Sequence, residues 1–270
     1  MTLISLTPLD LSLAAVLVAG LAGLSLYMRL GLHGRIVVAA LRTTVQLLLI
    51  GLVLKAIFAY VHLGWITLIA LAMLGVAGRE VMARQRYRFA GWWGFGLGTL
   101  AMFVSSFAVT VLALTVIVRV DPWYTPQYAI PLLGMLLGNT MNGIALGMDR
   151  LTQTARQQRA QIEARLMLGE TWDTAIGDIR HDSTRTGLIP IINAMAAAGV
   201  VSLPGMMTGQ ILAGAAPVEA VKYQILIMFL IAAGTGFGTL CAVHAASKRL
   251  FDERQRLRLD RLQSPGHDGR

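Results

Sequence analysis

Apolar stretches of about 20 residues recur along the chain, separated by short, arginine-rich polar segments. A helix needs about 20 residues to cross roughly 30 Å of hydrocarbon, so each stretch reads as a transmembrane helix. The pattern predicts about seven spans, at residues 8–28, 36–60, 62–78, 92–118, 128–148, 188–212 and 221–246. The second and third nearly touch, across a hairpin at residues 60–64. The stretches are rich in Leu, Ala, Val and Gly and do not alternate, which excludes a barrel. In lipid the backbone must satisfy its own hydrogen bonds, so the remaining choice is helix. The fold expected is all-α and polytopic, with residues 1–250 as a single transmembrane domain. Residues 149–187 form its largest loop, and residues 251–270 a charged tail, helical but frayed up to 262 and disordered from 264. The first apolar stretch follows Pro8 and Asp10 without a basic leader, so it reads as a span and not as a cleaved signal.

Charge orients this bundle. Of the 23 Lys and Arg, nineteen fall on one set of loops and the tail. Three (Lys55, Arg119 and Lys222) fall on the opposite side, and Arg42 lies inside a span. Basic residues stay on the cytoplasmic side, which puts the N-terminus outside and the C-terminus in the cytoplasm and requires an odd number of spans. The formal charge of +9 therefore belongs to membrane topology and not to nucleic-acid binding. At 56% hydrophobic and 14% charged residues the chain lies far from a soluble domain, which carries about 25% charged residues.

No G-x-x-x-x-G-K-[ST] loop, H-E-x-x-H motif or cysteine pair occurs, and Cys241 is the one cysteine. The chain itself should bind no cofactor and catalyse no reaction. Any ATP and Mg would be handled by a partner. No carboxylate lies deep in a span, which weighs against a proton-driven carrier.

Four polar or soft features lie within the spans. Arg42, with Thr43, Thr44 and Gln46 beside it, lies about two turns into span two. It either snorkels to the headgroups or faces a solute. Asn139, Thr140 and Asn142 must find partners in span five, either on neighbouring helices or along a wet path. In span six, Ser202, Leu203, Pro204 and Gly205 invite a break, and broken helices at membrane depth often border binding sites. Met206, Met207, Thr208 and Gln210 follow at once. Methionine thioethers are soft ligands but more often core filler. Cys241 and His244 share a face of span seven, as a bland packing pair or as two metal ligands. Glycines four apart (134/138, 143/147, 205/209 and 234/238) let helices approach closely.

The large inner loop carries the most information. Ile162 and Leu166 share a helical face, and Gly169 is suited to end that helix in a left-handed conformation. Thr171 is placed to cap a second short helix on which Trp172, Ile176 and Ile179 share a face. Two such helices make a knob that fits a groove on a partner; the alternative is an arginine-rich helix lying on the headgroups.

Glu163, Ala164 and Gly169 fall in an E-A-x-x-x-x-G pattern. It resembles the coupling loop by which ABC-importer permeases dock onto their ATPase, departing from it at Arg165, where a second alanine is usual. A longer resemblance covers nearly all of the chain from about residue 11 to 250. Its segments are 40–47 (ALRTTVQL), 131–143 (PLLGMLLGNTMNG), 189–195 (IPIINAM), and 201–210 (VSLPGMMTGQ) running on to 222–225 (KYQI). On these the chain is similar to the FetB/YbbM-type ABC exporter permeases, a family that takes in the plant aluminium-sensitive-three and STAR proteins. The resemblance implies a permease in the cell inner membrane, paired as a homodimer with two copies of a separate ABC ATP-binding subunit. It implies iron, another metal or a sugar-nucleotide-like solute as substrate. The coupling-loop resemblance places Glu163, Ala164 and Gly169 at the ATPase, and Trp172, on the second helix of the same knob, is expected beside them. The polar and soft residues of the spans give the candidates for a substrate path: Arg42, Thr43, Gln46, Asn139, Asn142, Asn193, Met206, Met207 and Gln210. The rival expectations are an ion-gradient carrier or channel, and a membrane scaffold that transports nothing.

Overall fold

The computed structural model describes residues 7–59 and 62–263. The fold is mostly helical, and its helices group into two compact units: Met1–Val61 with Leu212–Ala215, and His62–Ile211 with Ala216–Arg270.

The first unit is a helical hairpin of α1 (Pro8–Tyr27) and α2 (His33–Ala59). Thr7 and Asp10 close a capping box at the start of α1: the Thr7 N–H donates to Asp10 Oδ2 at 2.8 Å, and Pro8 occupies the first turn, where its missing N–H costs nothing. Apart from half-buried Leu54, the leucines and valines of both helices are exposed, and none of the most apolar stretch of α2 is buried. An apolar helix left this open needs hydrocarbon or protein around it.

The second unit holds α3 (Leu63–Arg84), β1 (Arg88–Phe89), α4 (Trp92–Met102), α5 (Ala108–Leu112), α6 (Pro126–Gln157), α7 (Arg159–Met167), α8 (Trp172–Ala175), α9 (Gly177–Ala197), α10 (Gly205–Leu212), α11 (Pro217–Arg249) and β2 (Leu262–Gln263). Residues 92–117 form one continuous rod, in which α4 and α5 alternate with π-helical turns at Phe103–Phe107 and Ala113–Ile117. Widened turns loosen the regular ladder. Here Ser105, Thr110 and Thr115 donate their hydroxyls to the carbonyls of Ala101, Ser106 and Val111.

The long helices α6 and α11 form the axis of this unit, with α3, α4 and α9 around them. Glycine lets them close. A methyl group at Gly187 would come within 2.5 Å of the Gly143 carbonyl oxygen, and one at Gly238 would meet Thr140 at 2.5 Å and Ser105 at 2.8 Å. Of the predicted glycine pairs, 143/147 and 234/238 lie in such contacts, while Gly138, Gly205 and Gly209 face open space. Met102, Leu136, Ile144, Met148, Leu151 and Val243 are fully buried around this axis.

Among the described residues six helices are long and apolar enough to cross a membrane, against the seven spans expected. The difference lies in the sixth, because residues 188–212 are not one helix: α9 starts at Gly177 and stops at Ala197, and α10 begins at Gly205. Between them the Ala197 carbonyl accepts N–H groups from Val200, Val201 and Ser202, and Gly199 adopts φ +79°. The break expected at 202–205 thus occupies residues 198–204. α3 runs to Arg84 and α6 to Gln157, beyond the ends read from hydropathy, because a helix continues past the apolar stretch wherever its polar residues are helix formers.

The tail is not a frayed helix. After Arg249 the chain turns back, Leu250, Phe251 and Leu262 are buried, and β2 pairs antiparallel with β1. The Arg261 guanidinium donates to the carbonyls of Arg249 and Phe251. Apolar positions at 250, 251, 257, 259 and 262 do not follow a helical period, and they anchor the strap to the bundle. The expectation for residues 264–270 lies outside the described residues.

Candidate functional site

At one end of the second unit, α7, α8 and the start of α9 form an elbow. Gly169 takes φ +92°, a conformation open to glycine and costly for other residues. It ends α7 in a Schellman turn, with the Glu170 N–H on the Arg165 carbonyl and the Gly169 N–H on the Leu166 carbonyl. Thr171 then caps α8, its hydroxyl accepting from the Thr174 N–H. Ile162, Ala175, Ile176 and Ile179 are buried in the core that also contains Val243 and Ala246 of α11 and Leu250 just beyond it. The elbow is therefore a rigid extension of the bundle and not a loop lying loosely beside it.

Arg165, the departure from the usual alanine, locks the bend. Its guanidinium bridges Glu170 at 2.8 Å and Asp178 at 2.9 Å, tying the end of α7 to the start of α9. Arg180 pairs with Asp173, and this hydrogen bond holds the Asp173 carboxyl below its ordinary range. The Trp172 ring packs on Phe251 and His244 at 5.9 and 6.2 Å, and the Trp172 backbone N–H donates to Gln255 Oε1 at 2.8 Å. Trp172 thus anchors the elbow to the tail from the inside. Glu163 pairs with Arg159, and Ala164 lies exposed. At the tip, Met167 and Leu168 are 82% and 83% exposed.

The arginine-rich segments of this unit meet at the same end. The Arg86 N–H donates to Asp149 at 2.7 Å, Arg156 lies over the Tyr87 ring at 4.4 Å, and Arg249 over Trp93 at 4.3 Å. Arg84 donates to Asn142 Oδ1 across a cavity of about 330 Å³ that Asp149, Leu146 and Pro190 also line.

The residues expected along a substrate path separate. Met206 and Gln210 line one groove of about 220 Å³ between α6, α10 and α11, together with Gln127, Tyr128, Met135 and Tyr223. Met207 is buried away from it. Asn142 lines the other cavity, Asn139 donates to the Met135 carbonyl of its own helix at 2.8 Å, and Asn193 is exposed on α9. Arg42, Thr43 and Gln46 are exposed on α2 in the first unit. Cys241 and His244 are both exposed, with His244 against Trp172. Among the described residues no group of three His, Cys, Asp or Glu is placed to hold a metal ion. Sequence reasoning missed Arg165 and Gln255 as parts of the elbow. Arg165 carried a signal, as an arginine flanked by carboxylates at positions 163, 170 and 178, whereas Gln255 lies 83 residues from its partner and carried none.

Helices of this length and apolarity define a multi-pass α-helical membrane protein. The chain belongs to the family described as Uncharacterised protein family (UPF0014), which matches residues 8–251. It is 40% identical over 229 residues to UPF0014 membrane protein slr1647 of Synechocystis, covering 84% of this chain and 87% of that one. It is 31% identical over 263 residues to the probable iron export permease protein FetB of Escherichia coli, covering 96% and 97%. To the protein ALUMINUM SENSITIVE 3 of Arabidopsis thaliana it is 33% identical over 245 residues, covering 90% and 88%. No solved structure matches the chain.

Proposed function

We propose that the chain is the membrane-spanning subunit of an ABC-type exporter in the inner membrane, working as a homodimer with two copies of a separate ATP-binding subunit. The observation that carries this reading is the elbow. Two large apolar side chains, Met167 and Leu168, stand exposed on a bend that is tied on every side to the bundle. An apolar tip on a stiff mount suits insertion into a groove of a partner, because insertion then loses little conformational entropy. Arginines gathered at the same end support a cytoplasmic placement, where ATP is available. Movement of the partner during ATP hydrolysis would be transmitted through α7 and α8 to α9 and α11, with which they share a core. In this scheme Glu163 and Ala164 lie at the docking surface, Gly169 sets the bend, and Trp172 transmits force into the tail. The substrate proposed is a metal cation, with iron first, on the name borne by the Escherichia coli relative.

The test is co-purification of the chain from its native membrane in mild detergent. An ATP-binding chain is expected at stoichiometric level, and Met167→Ser with Leu168→Ser should reduce its capture at least about tenfold while the permease elutes unchanged. Absence of any ATP-binding chain would overturn the reading, as would equal capture by the double variant. Substrate movement by the chain reconstituted alone would instead identify a carrier, and capture of a partner without transport a scaffold.

A further inference from the structure

We propose that the groove between α6, α10 and α11 is a cation site built from neutral oxygen and sulfur donors, an inference that rests on the transport reading and names where its substrate binds. One acceptor at this groove has no partner, and a second lacks its helical donor. Gln210 Oε1 is buried without a hydrogen-bond partner. Pro131 lies inside α6 and has no N–H to give the carbonyl of Gln127, four residues earlier. Buried or lipid-embedded acceptors without donors are costly, and a cation satisfies both. Met135, Met206, Tyr128 and Tyr223 also line the groove and bring thioether and hydroxyl donors, and the rest of the lining is aliphatic side chains and Pro131.

The kind of cation follows from the donor set. Amide and carbonyl oxygens favour hard ions and thioethers soft ones, so a mixture favours a borderline divalent transition metal over calcium. The lining holds no carboxylate, thiol or imidazole, so nothing neutralises the ion's charge. Such a site holds its ion weakly and gives it up readily, as a transport site must. A groove of about 220 Å³ is far larger than a bare ion, so the ion would keep part of its water shell.

The test is titration of the purified chain in lipid nanodiscs with ferrous iron under anaerobic conditions, with calcium as the hard-ion control. Wild type is expected to bind ferrous iron at least about tenfold more tightly than calcium. Gln210→Leu and Met206→Leu should each weaken ferrous binding about tenfold or more. Met73→Leu, in a different cavity, should leave it unchanged. Met206→Leu keeps the volume of the side chain, so it reports on the donor even if Gln210→Leu fails to fold. No ferrous binding by wild type would overturn the site, and so would equal binding by both folded variants or a preference for calcium. Capture of the ATP-binding chain by the same preparations is scored separately. Capture without pocket-dependent iron binding sinks the site alone, whereas pocket-dependent binding without capture sinks the ATP-driven reading alone.

Discussion

At the scale of single residues, close approach and charge make opposite demands on a membrane chain. Gly143 and Gly187 face each other with no room for a methyl group, since the obstacle at Gly187 is a backbone oxygen that cannot rotate aside. Gly187→Ala is expected to cost about 1–3 kcal/mol and lower the apparent melting temperature by several degrees, whereas Gly138→Ala, with nothing within 4 Å, should not. Thermal unfolding of the two variants in one detergent decides this. Asp252 shows the charge side. The Arg256 N–H, joined by the Arg256 guanidinium and the Arg254 N–H, holds its carboxyl down to about 2. An unfolded aspartate titrates near 3.9. A depressed acid contributes stability that is whole above the unfolded value and is lost as pH falls through the folded one. The strap should therefore keep its amide protection above about pH 4 and lose it between about 4 and 2. Asp252→Asn should show weaker protection of residues 250–263 even at pH 7, measurable by hydrogen exchange.

At the scale of elements, what was legible from sequence was local. The left-handed stop at Gly169 and the cap at Thr171 involve groups within five residues of each other, and both stand where the pattern put them. Gly169→Ala is accordingly expected to cost roughly 1–2 kcal/mol. The effect should appear as faster amide exchange in residues 165–172 with little change in the long helices. The break in span six was legible in position but not in extent, because proline and glycine mark where a helix stops and not how many residues cross the gap. The tail misled because its charges suggest a solvated helix, while its burial depends on β1, more than 170 residues earlier in the chain. The candidate groove was half legible: Met206 and Gln210 follow the break, but Gln127, Met135 and Tyr223 join them only when three helices pack.

At the scale of the whole molecule, hydropathy and arginine placement fixed the class of protein and proposed its sidedness. In a Cys241→Ser background, a single cysteine at position 167 should react with an impermeant thiol reagent only in inverted vesicles, and one at position 123 only in right-side-out cells. Labelling of position 167 from outside would place the elbow beyond the reach of cytosolic ATP and end the proposed mechanism. The chain by itself determined which stretches are apolar helices and where the elbow bends, since the cost of bare backbone in lipid and the sterics of a left-handed turn act on neighbouring residues. Only the tertiary structure decided that α6, α9 and α11 meet at Gly143 and Gly187, that the tail straps Trp172, and which polar side chains share a groove. Those outcomes depend on how helices rotate about their own axes as they pack, and the shapes of residues distant in sequence set that rotation.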